Sequence, residues 1–521
     1  MAAAAPDAPA AGSSSSTTAA PPAAPAAAKP EVKPAKPPPP LYEELLPISI
    51  LLVVIVLVVA RLPKVDVGHT RAYRVRRVMN WLPLGLTYAF LYMGRYNLNV
   101  LKDAGGISGH DFGTIDGIGS LVYGFSFLLN GPLTDRWGGR VTILIAAAGA
   151  AVANVALGIM IWQGTPSVTA LAVVFGVNMY FQSFGAVSIV KVNAAWFHIR
   201  ERGTFGGIFG ILISLGIYFA YDWGTRIVQF APAQWLFFVP AGLLVVFWVL
   251  SAIFVRDRPS DAGLVDFALG DATGTVPARA DGKPETAFQV IKRLMSNRVI
   301  LIIAVIEFCS GFLRQGILKW YRDFAKGVGG SDAYVFAHWG LVSCIAGITG
   351  GIFAGAISDH LFGSRRAPVA AVLYGIMLGG AIAIIPALAN PMAVSWLIAI
   401  MAMSIIGVHG MLSGTASADF GGLKNVGVAV GLIDGFVYLG NAAQAFLYGD
   451  LLPEKGTPEA AVVSNWYAWP GAMIPVAIIG LALALVLWNA RPASRPGYVS
   501  GAHANPAPAG APAHDGQERA G

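Results

Sequence analysis

Apolar runs of roughly 20 residues, the length a helix needs to cross a bilayer core, recur along most of this chain. They fall at about 45–61, 81–102, 112–132, 141–163, 168–190, 205–228 and 234–255. The polar stretch "RDRPSDAGLVDFALGDATGTVPARADGKPE" interrupts them. Six more runs follow at about 299–321, 334–357, 367–389, 393–414, 426–448 and 468–489. The pattern predicts an all-α membrane protein with one extra transmembrane helix, a six-helix bundle, a hydrophilic linker and a second six-helix bundle.

The boundaries drawn on this pattern are a tail over 1–43, the extra helix over 44–62, bundles over 78–256 and 298–490, a linker over 257–297, and a second tail over 491–521. Both tails are rich in Ala and Pro and are expected to be disordered, because they cannot bury enough apolar surface to fold. The N-terminal one lacks the basic start and immediate apolar core of a secretory signal. The run at 45–61 is read as a span, with an interfacial or cleaved segment as the alternative.

Composition agrees: 55% of the 521 residues are hydrophobic and 12% charged, too little charge to cover a soluble protein of this length. The net charge of +7 comes from basic loops and is no nucleic-acid signal. Those loops also orient the chain. "RLPKVDVGHTRAYRVRR", "DRWGGR", "HIRERG", the linker, "HLFGSRR" and "NARPASR" all fall on one side, whereas "QGTPS" and "LANP" on the other carry little positive charge. The basic side is expected to be cytoplasmic, leaving the N-terminus outside and the C-terminus inside a cell membrane, on balance a bacterial inner one. Cys309 and Cys344 lie in apolar runs and read as small core residues.

The two halves repeat. "GPLTDRWGGRV" follows the second helix of one bundle and "GAISDHLFGSRRA" the second helix of the other, both reading G-x-[LI]-[TS]-D and then basic residues. Parallel six-helix halves with such repeats are similar to the major facilitator fold. The motif suits a gate, to which Asp359 of the second repeat also belongs: Asp135 accepts from amides at a facing helix start, while Arg136 and Arg140 pair with acids of the neighbouring bundle. Charges that only anchor helix ends are the alternative.

Each bundle's first helix also carries an arginine inside an apolar run, Arg95 in "LYMGRYNLNV" and Arg314 in "GFLRQGILKWY". A charge at mid-membrane costs about 3 kcal/mol on insertion scales. Pseudo-symmetry places the two guanidiniums face to face between the halves, where they repel unless an anion lies between them. Their planar forks fit a phosphate or carboxylate in bidentate fashion. Glu307 stands two turns before Arg314, about 10 Å away by helical rise, too far for a direct neutralising pair. The predicted partner is a bound anion.

"YMGRYNLNV", "RQGILKWYRDFAKG", "YGFSFLLNGPLTDR", "AAWFHIRERGTFGGIFG" and "GVAVGLIDGFVYLGN" together resemble the organophosphate:phosphate antiporter family, the group of the glycerol-3-phosphate and hexose-phosphate transporters, over about 80–490. The resemblance implies that Arg95 and Arg314 bind the phosphate group and that Tyr438 lies near the same cavity. Lys191 stands where some members carry an arginine and counts as a further candidate contact. The chain departs from the family at Phe127, where a lysine is common, and at Ala195, where some members have a histidine. Glu307 and Asp434 add acids inside the second bundle, candidates for proton coupling or substrate contact. His409 reads as structural.

The expected function is exchange of a phosphorylated small metabolite for inorganic phosphate by a monomeric secondary transporter. Two alternatives stay open: a proton-coupled carboxylate symporter using Glu307 and Asp434, and a phosphate-ester sensor. No phosphate-cradling G-x-x-x-x-G-K-[ST] loop is present, so neither an enzyme nor ATP-driven transport is expected, and no cofactor or metal. "HDFGTID" reads as a helix-start cap with solvated charge rather than a metal site.

Overall fold

Helix-start chemistry sets where the first span begins. Thr70 accepts a hydrogen bond from the Tyr73 amide at 3.1 Å, so helix α1 (Arg71–Asp103) starts ten residues before the apolar run, in its basic approach. The computed structural model describes residues 70–164, 166–197, 202–266, 287–362, 366–412 and 417–489, together with Ser49 and Val53. The expected tails and the extra helix over 44–62 otherwise lie outside the described residues.

After α1 come α2 (Gly109–Trp137), α3 (Gly139–Trp162), α4 (Val168–Trp196), α5 (Arg202–Tyr218) and α6 (Trp235–Phe254). A π turn, Phe219–Trp223, and a short helix, Gly224–Phe230, prolong α5. The second set is α7 (Arg298–Gly327), α8 (Trp339–Leu361), α9 (Arg366–Ala387), α10 (Pro391–Met411), α11 (Ser417–Leu451) and α12 (Ala468–Val486). Among the described residues the long elements are all helices, and eight are long and apolar enough to cross a membrane on those grounds alone. The charge and polarity of α1 keep it below that mark; its interior is polar because it lines the site described below.

Helix packing repeats with a shift of six. Helix α1 packs on α4, α5 and α6, and α7 on α10, α11 and α12; α3 packs on α4 and α6, and α9 on α10 and α12; α2 packs on α4, and α8 on α10. Two six-helix bundles related by pseudo-twofold symmetry produce this pattern. They meet through two equivalent seams, α2 with α11 and α5 with α8. Glycines let the α2–α11 seam close: a Cβ at Gly113 would stand 2.6 Å from the Ala445 carbonyl oxygen, and one at Gly124 3.0 Å from that of Gly435.

The face on which α6 ends and α7 begins is the linker face. Its connection is not merely the polar loop expected over 257–297. It ends in a helix, Ala287–Met295, whose Val290 and Leu294 are buried against Val428, Ala429 and Leu432 of α11. The i, i+4 spacing of those two apolar residues is the sequence signal for it. The turn between α2 and α3 on this face is shaped by Gly138, at φ 87°, where a Cβ would lie 2.4 Å from an Asp257 carboxylate oxygen.

Candidate functional site

Helix α1 brings Arg95 to the seam, and three helices hold it there. Its Nε donates to Gln182 Oε1 on α4 at 3.0 Å, its Nη2 to the Tyr123 hydroxyl on α2 at 2.9 Å, and its Nη1 to the Tyr438 hydroxyl on α11 of the other bundle. The guanidinium lies 4.4 Å from the Tyr92 ring centroid and 4.5 Å from that of Tyr123, and Tyr123 and Tyr438 stack at 3.9 Å. Hydrogen bonds and ring faces thus take the place of water around a charge that is 5% exposed. Gln182 is oriented in turn by an amide chain: it donates to Asn178 at 3.0 Å, Asn154 donates to Asn178 at 3.1 Å, and Asn97 donates to Asn154 at 2.8 Å. These amides escaped the sequence reading, although each interrupts an apolar run.

Arg314 is the opposite case. It is 2% exposed, yet it makes no hydrogen bond among the described residues, and its buried Nε has no partner. It shares surroundings with Arg95, since Tyr92 and Tyr438 interact electrostatically with both guanidiniums. Tyr96, on the same helix as Arg95, also faces Arg314, and its hydroxyl exchanges hydrogen bonds with the adjacent Gln315 amide at 2.8–3.0 Å across the bundles. The site therefore pairs an arginine held by three hydrogen bonds with one that has none, set around common tyrosines.

Behind Arg314, Glu307 is fully buried and its Oε2 stands 3.2 Å from His409 Nδ1 on α10. Its Oε1 has no hydrogen-bond partner. Asp434, one turn from Tyr438 on α11, faces Glu307 electrostatically. His409 is thus joined to the acid that the sequence singled out, a pairing that no sequence spacing announces. Cys309 and Cys344 are buried.

Toward the face opposite the linker, the ends of α1 and α7 bring a second charged layer together. Lys102 pairs with Asp323, and Arg322 with Asp103 at 2.6 Å. Lys319 meets both oxygens of Asp116 on α2 at 2.6 Å. Asp116 is therefore buried in an ion pair, which corrects the reading of "HDFGTID" as solvated charge; the cap itself is Ser108, accepting from the Asp111 amide at 3.0 Å. Glu454 of the second bundle accepts from the first amide of α2, Gly109, at 2.8 Å, placing a carboxylate on a helix N-terminus. On this face the two bundles are tied together by buried charge.

Against this architecture, the sequence model of the Major Facilitator Superfamily matches residues 84–445. The chain belongs to the Major Facilitator Superfamily. It is 28% identical over 445 residues to the glycerol-3-phosphate transporter of Bacillus subtilis (strain 168), an alignment spanning 80% of this chain and 94% of that protein. It is 25% identical over 433 residues to the membrane sensor protein UhpC of Escherichia coli (strain K12), covering 80% and 92%. Among solved structures, a bacterial homolog of the human lysosomal transporter Spinster, inward-facing and unoccupied, superposes with a TM-score of 0.57 over 81% of this chain and 97% of that one at 14% identity, a likeness of fold.

In this superfamily member Asp135 and Arg140 of the loop motif have described partners within their own bundle. Asp135 pairs with Lys191 at 2.6 Å, and the Arg140 amide donates to Asp257 at 2.9 Å while its Nη2 donates to the Ala252 carbonyl at 2.8 Å. The expected pairing of Arg140 with acids of the neighbouring bundle is not what the structure contains, because the end of α6 lies closer. Lys191 is likewise not brought to Arg95 and Arg314. With Asp135, Arg136 and Asp257 it lines a cavity of about 640 Å³ on the linker face. The Asp359 side chain and the α4–α5 loop lie outside the described residues. Of the expected site residues, Arg95, Arg314 and Tyr438 converge, Glu307 and Asp434 stand beside them, Lys191, Asp135 and Arg136 line the linker-face vestibule, and Arg140 packs on the end of α6.

Proposed function

We propose that this transporter exchanges a phosphorylated small metabolite for inorganic phosphate by alternating access, with Arg95 and Arg314 holding the phosphoryl group between the bundles. The observation that carries this is Arg314: a buried guanidinium without a hydrogen bond, sharing tyrosines with a second arginine, is a vacant fork for an oxyanion. The names of the relatives, a glycerol-3-phosphate transporter among them, agree with a phosphate ester. Tyr438 holds Arg95 in the empty site and yields to the anion. Lys191 and Arg136 attract substrate in the vestibule, and Asp135, Arg140 and Asp359 shape the gate beside it.

The basic linker face is cytoplasmic in this reading, with the N-terminus outside, the C-terminus inside, and the protein in a bacterial cell membrane. The site is complete within one chain, so a monomer suffices. In this reading the bundles span 78–256 and 298–490, with the first helix reaching back to Arg71.

A second reading has one observation in its favour, the similarity to a membrane sensor protein: the chain binds the ester and signals without transporting it. Proteoliposomes preloaded with phosphate decide between them. Uptake of labelled phosphate, competed by phosphate esters and not by dicarboxylates, is the expected result. Binding without uptake favours the sensor. Uptake that needs a proton gradient and is competed by carboxylates favours the symporter.

A further inference from the structure

The second bundle contains a polar cluster that holding a phosphoryl group does not require. Glu307 is fully buried, with one oxygen 3.2 Å from His409 Nδ1 and the other without a partner. From its own helix it faces Arg314 and Cys309, from α9 Tyr374, from α10 His409 and from α11 Asp434. The Ser310 hydroxyl lies beside it without a hydrogen bond in good geometry. Tyr374 spends its proton on the Ile306 carbonyl at 2.6 Å, and Cys309 is a buried thiol, so neither supplies or accepts charge. Among the described residues, the formal charges that face this cluster are those of Arg314, Arg95, Asp434 and the Glu307–His409 pair.

With one proton shared in that pair, as carboxylate with imidazolium or as carboxyl with imidazole, the pair is neutral. The two arginines and Asp434 then sum to +1. A phosphate dianion seated on the arginines turns this to −1 in a medium where uncompensated charge costs several kcal/mol. The partnerless oxygen of Glu307 can take a second proton without breaking an existing hydrogen bond. The pair then becomes carboxyl with imidazolium, and the total returns to zero.

We infer that the Glu307–His409 pair is a proton-binding site linked to the anion site, so that a phosphate dianion enters together with one proton. Hydronium or a buffer acid of the bulk solution gives up the proton, its O–H bond breaking as the Glu307 Oε1–H bond forms; where the pair starts as carboxyl and imidazole, the proton already present passes to His409 Nδ1. The inference rests on the phosphate reading of the arginine pair and adds a coupling ion to it. The phosphate group and the proton need not be released to the same side, which makes the exchange sensitive to a pH difference across the membrane.

Calorimetric titration of the full-length detergent-solubilised protein with inorganic phosphate, in two buffers of different ionisation enthalpy, counts the protons taken up. The wild-type protein is expected to take up about one proton more than Glu307→Gln, and its affinity to rise by up to about tenfold per pH unit more steeply on acidification. His409→Asn is expected to reduce the difference, and Asp434→Asn, which removes one negative charge from the sum, to reduce the linked proton uptake as well. As a readout on the wild-type protein alone, phosphate should induce an infrared band of a protonated carboxyl. Equal proton counts in wild type and Glu307→Gln, or no carboxyl band in the wild type, would overturn the coupling while leaving the phosphate site standing. No phosphate binding to the wild type at all would overturn both.

Discussion

Lys102 of α1 and Asp323 of α7 form a buried ion pair across the two bundles, and the residues next to them, Asp103 and Arg322, form the reciprocal pair. Lys-Asp closes α1 and Arg-Asp lies near the end of α7, and pseudo-twofold symmetry crosses them. All four residues are at most 7% exposed. Because neither pair lies within one bundle, both must break when this face opens.

Removing one partner of a buried pair costs about 3–5 kcal/mol. The gap between the two states of a switching protein is only a few kcal/mol. Asp323→Asn is therefore expected to move most molecules toward the state open on this face. Spin labels at the exposed positions Ala104 and Ser331 should report a longer distance in the variant. The double variant Lys102→Met with Asp323→Leu should restore the short distance, since it removes both charges together. An unchanged distance distribution in Asp323→Asn would show that the layer does not set the equilibrium.

The spans were legible because lipid demands apolar runs, and the two site arginines because each breaks such a run at mid-membrane. What each arginine touches was not legible. Gln182 and Tyr438 lie 87 and 343 residues from Arg95 in the chain, and only packing brings them together. Lys102-Asp103 and Arg322-Asp323 sit at span ends, where a charge ordinarily reaches for the interface. Nothing local distinguishes a snorkelling lysine from one locked to a partner helix. The partner of Arg140 was illegible for the same reason, as its Nη2 meets the end of its own α6 instead of an acid of the other bundle.

Tyr438 offers a test of the empty site. Its hydroxyl accepts from Arg95 across the bundles, and a hydrogen bond to a charged group contributes about 1.5–3 kcal/mol. Tyr438→Phe should lower the melting temperature without ligand. Because an arriving phosphate no longer displaces the hydroxyl, phosphate should stabilise the variant by more than it stabilises the wild type. A smaller gain in the variant would instead place the hydroxyl on the anion itself.

Asp257, in the loop after α6, caps the start of α3 by accepting from the Arg140 amide, and burial raises its carboxyl above the ordinary range while these amide hydrogen bonds pull it back. A raised folded value means the folded protein favours the protonated form. The contribution of this group to stability is therefore largest at low pH and declines as pH rises through its titration. Asp257→Asn keeps an acceptor oxygen without the charge, so its stability relative to wild type should increase with pH. Asp257→Ala should follow the same pH trend but lie about 1 kcal/mol below Asp257→Asn at every pH, the usual loss for a missing helix cap. Thermal unfolding of the three proteins from acid to neutral pH distinguishes a cap from a bystander, which would give parallel curves.

The two site arginines should respond differently to lysine. Arg95 loses its hydrogen bonds to Gln182, Tyr123 and Tyr438 when the fork is removed. Arg95→Lys is thus expected to lower both the stability of the empty protein and its affinity for phosphate. Arg314 has no hydrogen bond to lose in the empty site. Arg314→Lys should leave the unliganded melting temperature nearly unchanged, while removal of a bidentate contact weakens phosphate binding by about 10- to 100-fold. The comparison needs only melting curves and phosphate titrations of two variants. If Arg314→Lys destabilises the empty protein as much as Arg95→Lys and leaves phosphate affinity intact, Arg314 braces the second bundle and the anion site lies elsewhere.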